Sequence, residues 1–455
     1  MATTTASAPT RATNRRVLIG SLSGSAIEWF DFFLFATAAA LIFDKQFFPT
    51  EDPALSLMLS YVSLSLTFFI RPFGGIVFSH IGDRIGRKKT LVITLSLMGG
   101  ATVAIGLLPT FDQVGVLAPI LLMLCRIIQG LAIGGEWGGA LLLAYEYAPK
   151  ERRGFFGSVP QTGITIGMLL STLAFALVSL LPTDAFDAWG WRLPFIASVV
   201  LVFVGLWIRK GLAETPDFQK AKDSGNVAKL PLAETLRDHW RSVLVAIGAK
   251  FVETAPFYIF ATFVVSYATG ALDFERSTVL NAVSAGAFVS TIAILAMGAL
   301  SDRIGRRRVF LLGAMLIALF AAPFFLLLDI GMDWGVYAAV VIGLGVVWPP
   351  VTATLGTLMS EIFSTRVRYT GITLGYQIGA ALAGGTAPLL ATWLLTAFGG
   401  SWVPIAVYIA AVAVISIVAV SLSPMATRRE TQLLAARGLD DGSVMAAERK
   451  EGASA

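Results

Sequence analysis

Seven ionisable side chains stand where a chain this apolar has least reason to keep them. Glu28 and Asp31 lie in SAIEWFDFFLF, three residues apart and ringed by Trp29, Phe30, Phe32, Phe33 and Phe35. Arg71 interrupts TFFIRPFGG, Arg126 interrupts LMLCRIIQG, Glu136 sits in GGEWGGA, and Lys250 and Glu253 sit in AIGAKFVETAPF. A charge at the centre of a bilayer costs about 2.5–3.5 kcal/mol on insertion scales, so such groups persist where they face a wet cavity or a partner. Glu28 and Asp31 share one face of a helix. They are either a fixed structural ion-pair element or a place where a proton is accepted or a cargo touched. Apolar walls and a nearby guanidinium pull a carboxyl's proton affinity in opposite directions, which leaves such a group poised to titrate. Three of the seven are positive and four negative. An anionic cargo adds negative charge and protonation of an acid restores the balance, which is the physical logic of proton–anion symport.

The elements that carry these residues are membrane helices. Only 14% of the 455 residues are charged and the mean hydropathy is +0.76, against roughly 25% charged in soluble domains. The apolar residues fall into twelve runs, near 18–42, 56–79, 90–109, 116–146, 155–181, 192–209, 243–269, 277–300, 309–328, 335–360, 369–396 and 402–423, each near the ~20 residues that span a bilayer. The first run follows Arg15 and Arg16 and contains Ala38–Ala40 like a secretory leader, but it is too long and holds two acids, so it is expected to stay. Of 34 Lys and Arg, 28 lie in the first tail, the even-numbered connections and the last tail, and only Lys45, Arg192 and Arg276 lie in connections on the other side. That asymmetry places both termini in the cytoplasm, and it makes the basic pI a matter of topology, with no nucleic-acid partner expected. The lone cysteine, Cys125, allows no disulfide within the chain.

Residues 210–242 form the long polar stretch between runs six and seven. They divide the chain into a tail (1–17), a six-helix bundle (18–209), a linker (210–242), a second six-helix bundle (243–423) and a last tail (424–455). The halves repeat. GDRIGRKK at 82–89 returns as SDRIGRRR at 301–308, and Glu28, Phe32, Phe35, Ala36 and Thr37 align with Glu253, Phe257, Phe260, Ala261 and Thr262. Gln161 and Gly163 align with Gln377 and Gly379, and a Glu seven residues before an Arg recurs as Glu146 with Arg153 and Glu361 with Arg368. Parallel six-helix repeats with a site between them are one transporter architecture. Glycines four apart (Gly130, Gly134, Gly138; Gly371, Gly375, Gly379) are expected to let helices approach closely. Pro160, Pro256, Pro388 and Trp348-Pro349-Pro350 are expected to kink theirs.

The doubled DRIGRK signature resembles the major facilitator superfamily. EWFDFFLF, RPFGG, RIIQGLAIGGEWGGA, WGWRLPF and VRYTGITLGYQIG resemble its metabolite:proton symporters, the shikimate, ketoglutarate, citrate and proline/betaine group, over residues 17 to about 423. One departure is Ser79, where the signature usually has glycine; the second copy keeps Gly298. The resemblance implies an all-α fold of two pseudo-symmetric bundles. It implies a proton-coupled importer of a small organic acid that works by alternating access in a bacterial inner membrane, as a monomer. The alternatives are a symporter of a zwitterionic solute such as proline or betaine, or a drug/proton antiporter.

For individual residues, the resemblance points to Arg126 paired with Asp31 or Glu28 in proton coupling, with Glu253 as competitor. The polar residues near mid-span expected to touch cargo are Arg126, Arg71, Lys250, Tyr258, Gln161, Tyr376 and Gln377. The loops are expected to latch the cytoplasmic side through Asp83, Arg84, Gly86, Arg87, Glu146 and Arg153 and their counterparts Asp302, Arg303, Arg306, Glu361 and Arg368, with Glu136 as a further gate. No GxxxxGK[ST] occurs, and the two histidines, His80 and His239, belong to no metal-ligand cluster, so neither an ATP-driven pump nor an enzyme is expected, and no cofactor or metal. On this reading Asp83→Asn leaves the yield of folded protein unchanged and cuts transport sharply, as surface expression beside the initial uptake rate measures.

Overall fold

The computed structural model describes residues 11–85, 87–134, 148–210, 237, 239–363 and 368–423, without the side chains of 11–21, 23, 76, 79–85, 87–91, 150, 208–210 and 368–370. The long helices are α1 (Arg11–Leu41), α2 (Pro53–Ile85), α3 (Arg87–Leu107), α4 (Leu117–Gly134), α5 (Arg153–Val178) and α6 (Leu193–Lys210). They continue with α7 (Trp240–Gly270), α8 (Arg276–Ile304), α9 (Arg306–Leu328), α10 (Asp333–Ile362), α11 (Arg368 to Ala397) and α12 (Val403–Ser421). Eleven are long and apolar enough to cross a membrane among the described residues; the remaining one, α3, has a shorter apolar part, Val92–Leu107. Each stands where an apolar run was read. The face on which α1 begins is here the terminal face.

Within the first half α1 packs on α5, α2 on α4 and α3 on α6; within the second, α7 packs on α11 and α12 and α8 on α10. The halves meet where α5 crosses α8 and α10, where α2 runs beside α11, and where α1 meets α7. Small residues permit the closest of these approaches. A Cβ on Gly134 would stand 2.0 Å from the Arg71 carbonyl oxygen, and one on Gly130 would stand 2.9 Å from that of Thr67. The glycine stripe of α4 therefore seats the turn of α2 that carries Arg71. In the second half Gly379 faces the Lys250 side chain in the same way, with 2.6 Å to its Cβ. Gly138 lies outside the described residues. The turn between α8 and α9 needs its glycine for another reason: Gly305 has φ +96°, a conformation side chains oppose.

Three of the expected kink sites mark changes of helical winding, whereas Pro160 lies inside the unbroken α5. α7 passes through a π segment at Ile259–Phe263 just after Pro256, α10 has one at Val341–Val347 ahead of Pro349, and α11 has one at Ala381–Gly385 ahead of Pro388. All three helices border the space between the halves. A proline has no N–H to give, and the wider turn re-aims the carbonyls around it. Gly134→Ala tests the α2–α4 contact. Forcing a methyl against the Arg71 carbonyl costs about 1–3 kcal/mol, so thermal unfolding of the purified protein should fall, while Gly100→Ala on α3, with open space around it and ordinary helical backbone, serves as the control.

A candidate cargo cavity between two buried cations

Midway through the molecule, a cavity of about 10 Å³, roughly one water, lies between the halves. The first half contributes Trp29 from α1, Phe68 and Arg71 from α2, and Ile164 from α5. The second contributes Lys250, Glu253, Thr254, Phe257 and Tyr258 from α7, Trp348 from α10, and Tyr376 and Ala380 from α11. Arg71 is buried, with its Cζ 4.4 Å from the Phe68 ring centre, 4.9 Å from Phe32 and 5.9 Å from Trp29. Its Nε has no hydrogen-bond partner. Lys250 and Glu253 form a buried ion pair within one turn of α7, and the ammonium also stands 3.7 Å from the Tyr376 ring centre. Glu253 Oε2 accepts from Thr254 Oγ1 at 2.8 Å and Oε1 accepts from Thr352 Oγ1 at 3.0 Å, while the Trp348 indole donates to the Glu253 backbone oxygen at 2.6 Å.

Of the side chains expected to touch cargo, Arg71, Lys250, Tyr258 and Tyr376 line this cavity; Arg126, Gln161 and Gln377 do not. Gln161 instead bridges the halves, donating to the Thr352 carbonyl at 3.2 Å. Gln377 is buried with Oε1 unpartnered. Of the expected pairings of Arg126 with Asp31 or Glu28, the one with Asp31 is corrected. Arg126 donates to the Ser63 and Leu64 carbonyls, both at 3.3 Å, and to Gln129 Oε1 at 2.7 Å, and it lies 3.7 Å over the Phe35 ring. Two α2 carbonyls and a glutamine one turn along α4 have taken the guanidinium that an acid was expected to hold. Asp31 is 1% exposed and neither of its oxygens has a hydrogen-bond partner. Its neighbour Thr102 directs its one hydroxyl proton to the Met98 carbonyl at 3.0 Å and accepts from Gln129 Nε2 at 2.9 Å. Glu28 is buried on the same helix face, and its charge acts on Arg71.

Phe68, Ile164, Thr254, Phe257 and Ala380 were not anticipated. Phe68 precedes Arg71 by three residues and Phe257 follows Glu253 by four, so same-face helical spacing was the available signal for those two.

The described contacts join the halves on both sides of the cavity. Away from the terminal face, Tyr61 Oη and Ser266 Oγ are 2.8 Å apart, Ser65 donates to the Gly385 carbonyl at the end of the α11 π segment, and Arg276 lies 4.1 Å over the Phe186 ring. Lys45 reaches Asp187 at 3.9 Å there, and burial raises the Asp44 carboxyl above the usual carboxylate range. At the terminal face the second signature copy is engaged. Asp302 accepts from the Gly154 and Phe155 amides at the start of α5, at 2.7 and 2.9 Å, and Arg306 pairs with both Asp302 and Glu361. Arg303 is exposed, and Arg153 is half-buried at the start of α5. Gly86, Glu136 and Glu146, and the side chains of Asp83, Arg84, Arg87 and Arg368, lie outside the described residues.

A model of the Major Facilitator Superfamily matches residues 21–384. Over 406 residues the chain is 38% identical to the shikimate transporter of Escherichia coli K12, covering 88% of this chain and 92% of that one. It is 40% identical over 417 residues to that organism's inner membrane metabolite transport protein YhjE, covering 90% and 93%, and 34% identical over 418 residues to its proline/betaine transporter, covering 89% and 82%. The inward-open xylose transporter XylE of E. coli has a similar fold, with TM-score 0.65 at 15% identity over 90% of this chain and 96% of that one. Asp302→Asn removes charge from an acceptor of two amides, worth about 1.5–3 kcal/mol. It should lower the unfolding temperature of the purified protein, while Arg303→Gln at the exposed neighbouring position leaves that temperature unchanged.

Proposed function

Because the chain belongs to the Major Facilitator Superfamily, and is thus a multi-span membrane transporter, we propose that it imports a small organic acid together with protons. Residues 18–209 and 243–423 rock as two bundles about the central cavity, joined by the linker 210–242. The protein works as a monomer in a bacterial inner membrane with both termini in the cytoplasm, as the distribution of Lys and Arg suggests. The observation that carries the reading is what the cavity already holds. Arg71 and Lys250, one from each half, line it, and their charges rest on aromatic faces. An aromatic box also suits a quaternary ammonium, and the proline/betaine transporters among the relatives make a zwitterion the second reading. Here, however, the ring faces are taken by the protein's own cations, so the group still to be supplied is an oxyanion.

Proton coupling is assigned to Asp31, with Glu28 as its tuning neighbour. A carboxylate so buried is costly without a donor or a cation, and Asp31 has neither an ion-pair partner nor a hydrogen-bond donor among the described residues. Arg126 holds the α2–α4 contact behind it through the Ser63 and Leu64 carbonyls, and Gln129 ties α4 to Thr102 of α3. Asp302, Arg303, Arg306, Glu361 and Arg368 act as one half of the terminal-face latch, and Asp83, Arg84, Gly86, Arg87, Glu146 and Arg153 supply its symmetric half, with Glu136 as a further gate.

Uptake of labelled shikimate, succinate, proline and glycine betaine by cells lacking their own carriers decides the cargo class. An acid should accumulate, and accumulation should collapse when the proton gradient is dissipated. Uptake of proline or betaine alone would favour the second reading. Asp31→Asn should keep counterflow and lose gradient-driven accumulation. Arg71→Gln should weaken uptake far more than Arg276→Gln, since Arg276 lies at the rim.

A further inference from the structure

Glu253 holds the one carboxylate among the residues that line the cavity. It is bound as a carboxylate cargo would be, to an ammonium and two hydroxyls, on the surface that a cargo must reach. The partners also have a second arrangement available. The Thr254 hydroxyl lies 2.8 Å from Glu253 Oε2 and 2.9 Å from the Lys250 carbonyl. With its proton toward Glu253 it serves a carboxylate. Turned to the Lys250 carbonyl, it presents a lone pair to a carboxylic acid O–H at the same position. Charged and neutral Glu253 can therefore both be satisfied without moving the backbone.

We infer that Glu253 is a built-in stand-in for the cargo's carboxylate. The incoming carboxylate takes Lys250, and the displaced Glu253 accepts one proton from the aqueous side to which the cavity is then open. The inference rests on the organic-acid reading above and adds to it that the bound cargo carries a carboxylate on α7. The balance is simple: one carboxylate leaves the ammonium and another arrives, and one O–H bond forms on Glu253 with the proton drawn from water, with no electron transferred. Two carboxylates sharing one buried ammonium would repel, and protonating one removes the conflict. Glu253 is the acid among the groups that face it; Asp31, outside the cavity lining, carries its proton before cargo arrives and takes up none on binding. Lys250 and Tyr258 lie on α7, Arg71 on α2 and Tyr376 on α11; Glu28 on α1 acts across the cavity on Arg71 and Tyr376, and α10 offers Trp348 and Thr352, which do not titrate.

The test is titration calorimetry of the purified wild-type protein with shikimate and with succinate. It is run across pH and in buffers of differing ionisation enthalpy. Binding should take up one proton per acid bound, and on the alkaline side the affinity should fall about tenfold per pH unit. Glu253→Gln should bind at least as tightly as wild type does in acid, with a flat pH profile and no proton uptake, whereas Lys250→Gln should lose the acid. Should Glu253→Gln fail to fold, the wild-type proton count still decides, because binding without proton uptake overturns the inference. Proton uptake that persists in Glu253→Gln also overturns it and points to Asp31. If neither acid binds wild type, the organic-acid reading falls and takes this inference with it; if both bind without proton linkage, only the exchange is refuted.

Discussion

Charges inside a hydrocarbon slab must be met by something, and how each is met organises this molecule. Lys250 meets Glu253 and a tyrosine face. Arg126 meets two carbonyls, a glutamine and a phenylalanine. Arg71 meets rings. These are three different solutions to one desolvation problem, and they differ in how readily they are undone. Arg126 is held by backbone oxygens of α2, so freeing it means parting α2 from α4. The Lys250–Glu253 pair is intrahelical and can exchange without moving a helix. Arg71 has the least to lose, because a cation resting on aromatic faces keeps most of that attraction when an oxyanion joins it.

The two ends of the molecule are closed by unlike chemistry. The terminal face uses charge: Asp302 against the amides that open α5, with Arg306 and Glu361 beside it. The acid sits where the helix dipole favours a negative group. The other face uses hydroxyls and rings: Tyr61 with Ser266, Ser65 with a carbonyl bared by a π turn, and Arg276 over Phe186. A hydroxyl contact exchanges easily with water, whereas the charged contacts of the terminal face are bound more strongly.

Much of the architecture was legible from residue type and order. The apolar runs, the polar stretch 210–242 and the DRIGRK repeat led to the twelve helices, and the glycine spacing of α4 led to its contact with α2. The buried ionisable residues announced themselves by their cost, and four of the seven expected cargo contacts line the cavity. What sequence spacing could not convey was pairing across helices. The family resemblance pointed to Arg126 meeting an acid of α1. The rotation of α4 instead turns it toward α2 carbonyls, and Gln129 one turn further on completes the set. Likewise Thr352 has no mark in the sequence that ties it to Glu253, 99 residues earlier; only the crossing of α7 and α10 makes them neighbours.

The cavity's size has an electrical consequence. Its volume, about 10 Å³, is bounded by rings, by the Lys250–Glu253 pair and by Arg71. A hydrated ion would have to shed its water to enter. In this arrangement the core has no room for a hydrated ion to pass. A membrane can then hold many copies in this arrangement without losing its voltage to them.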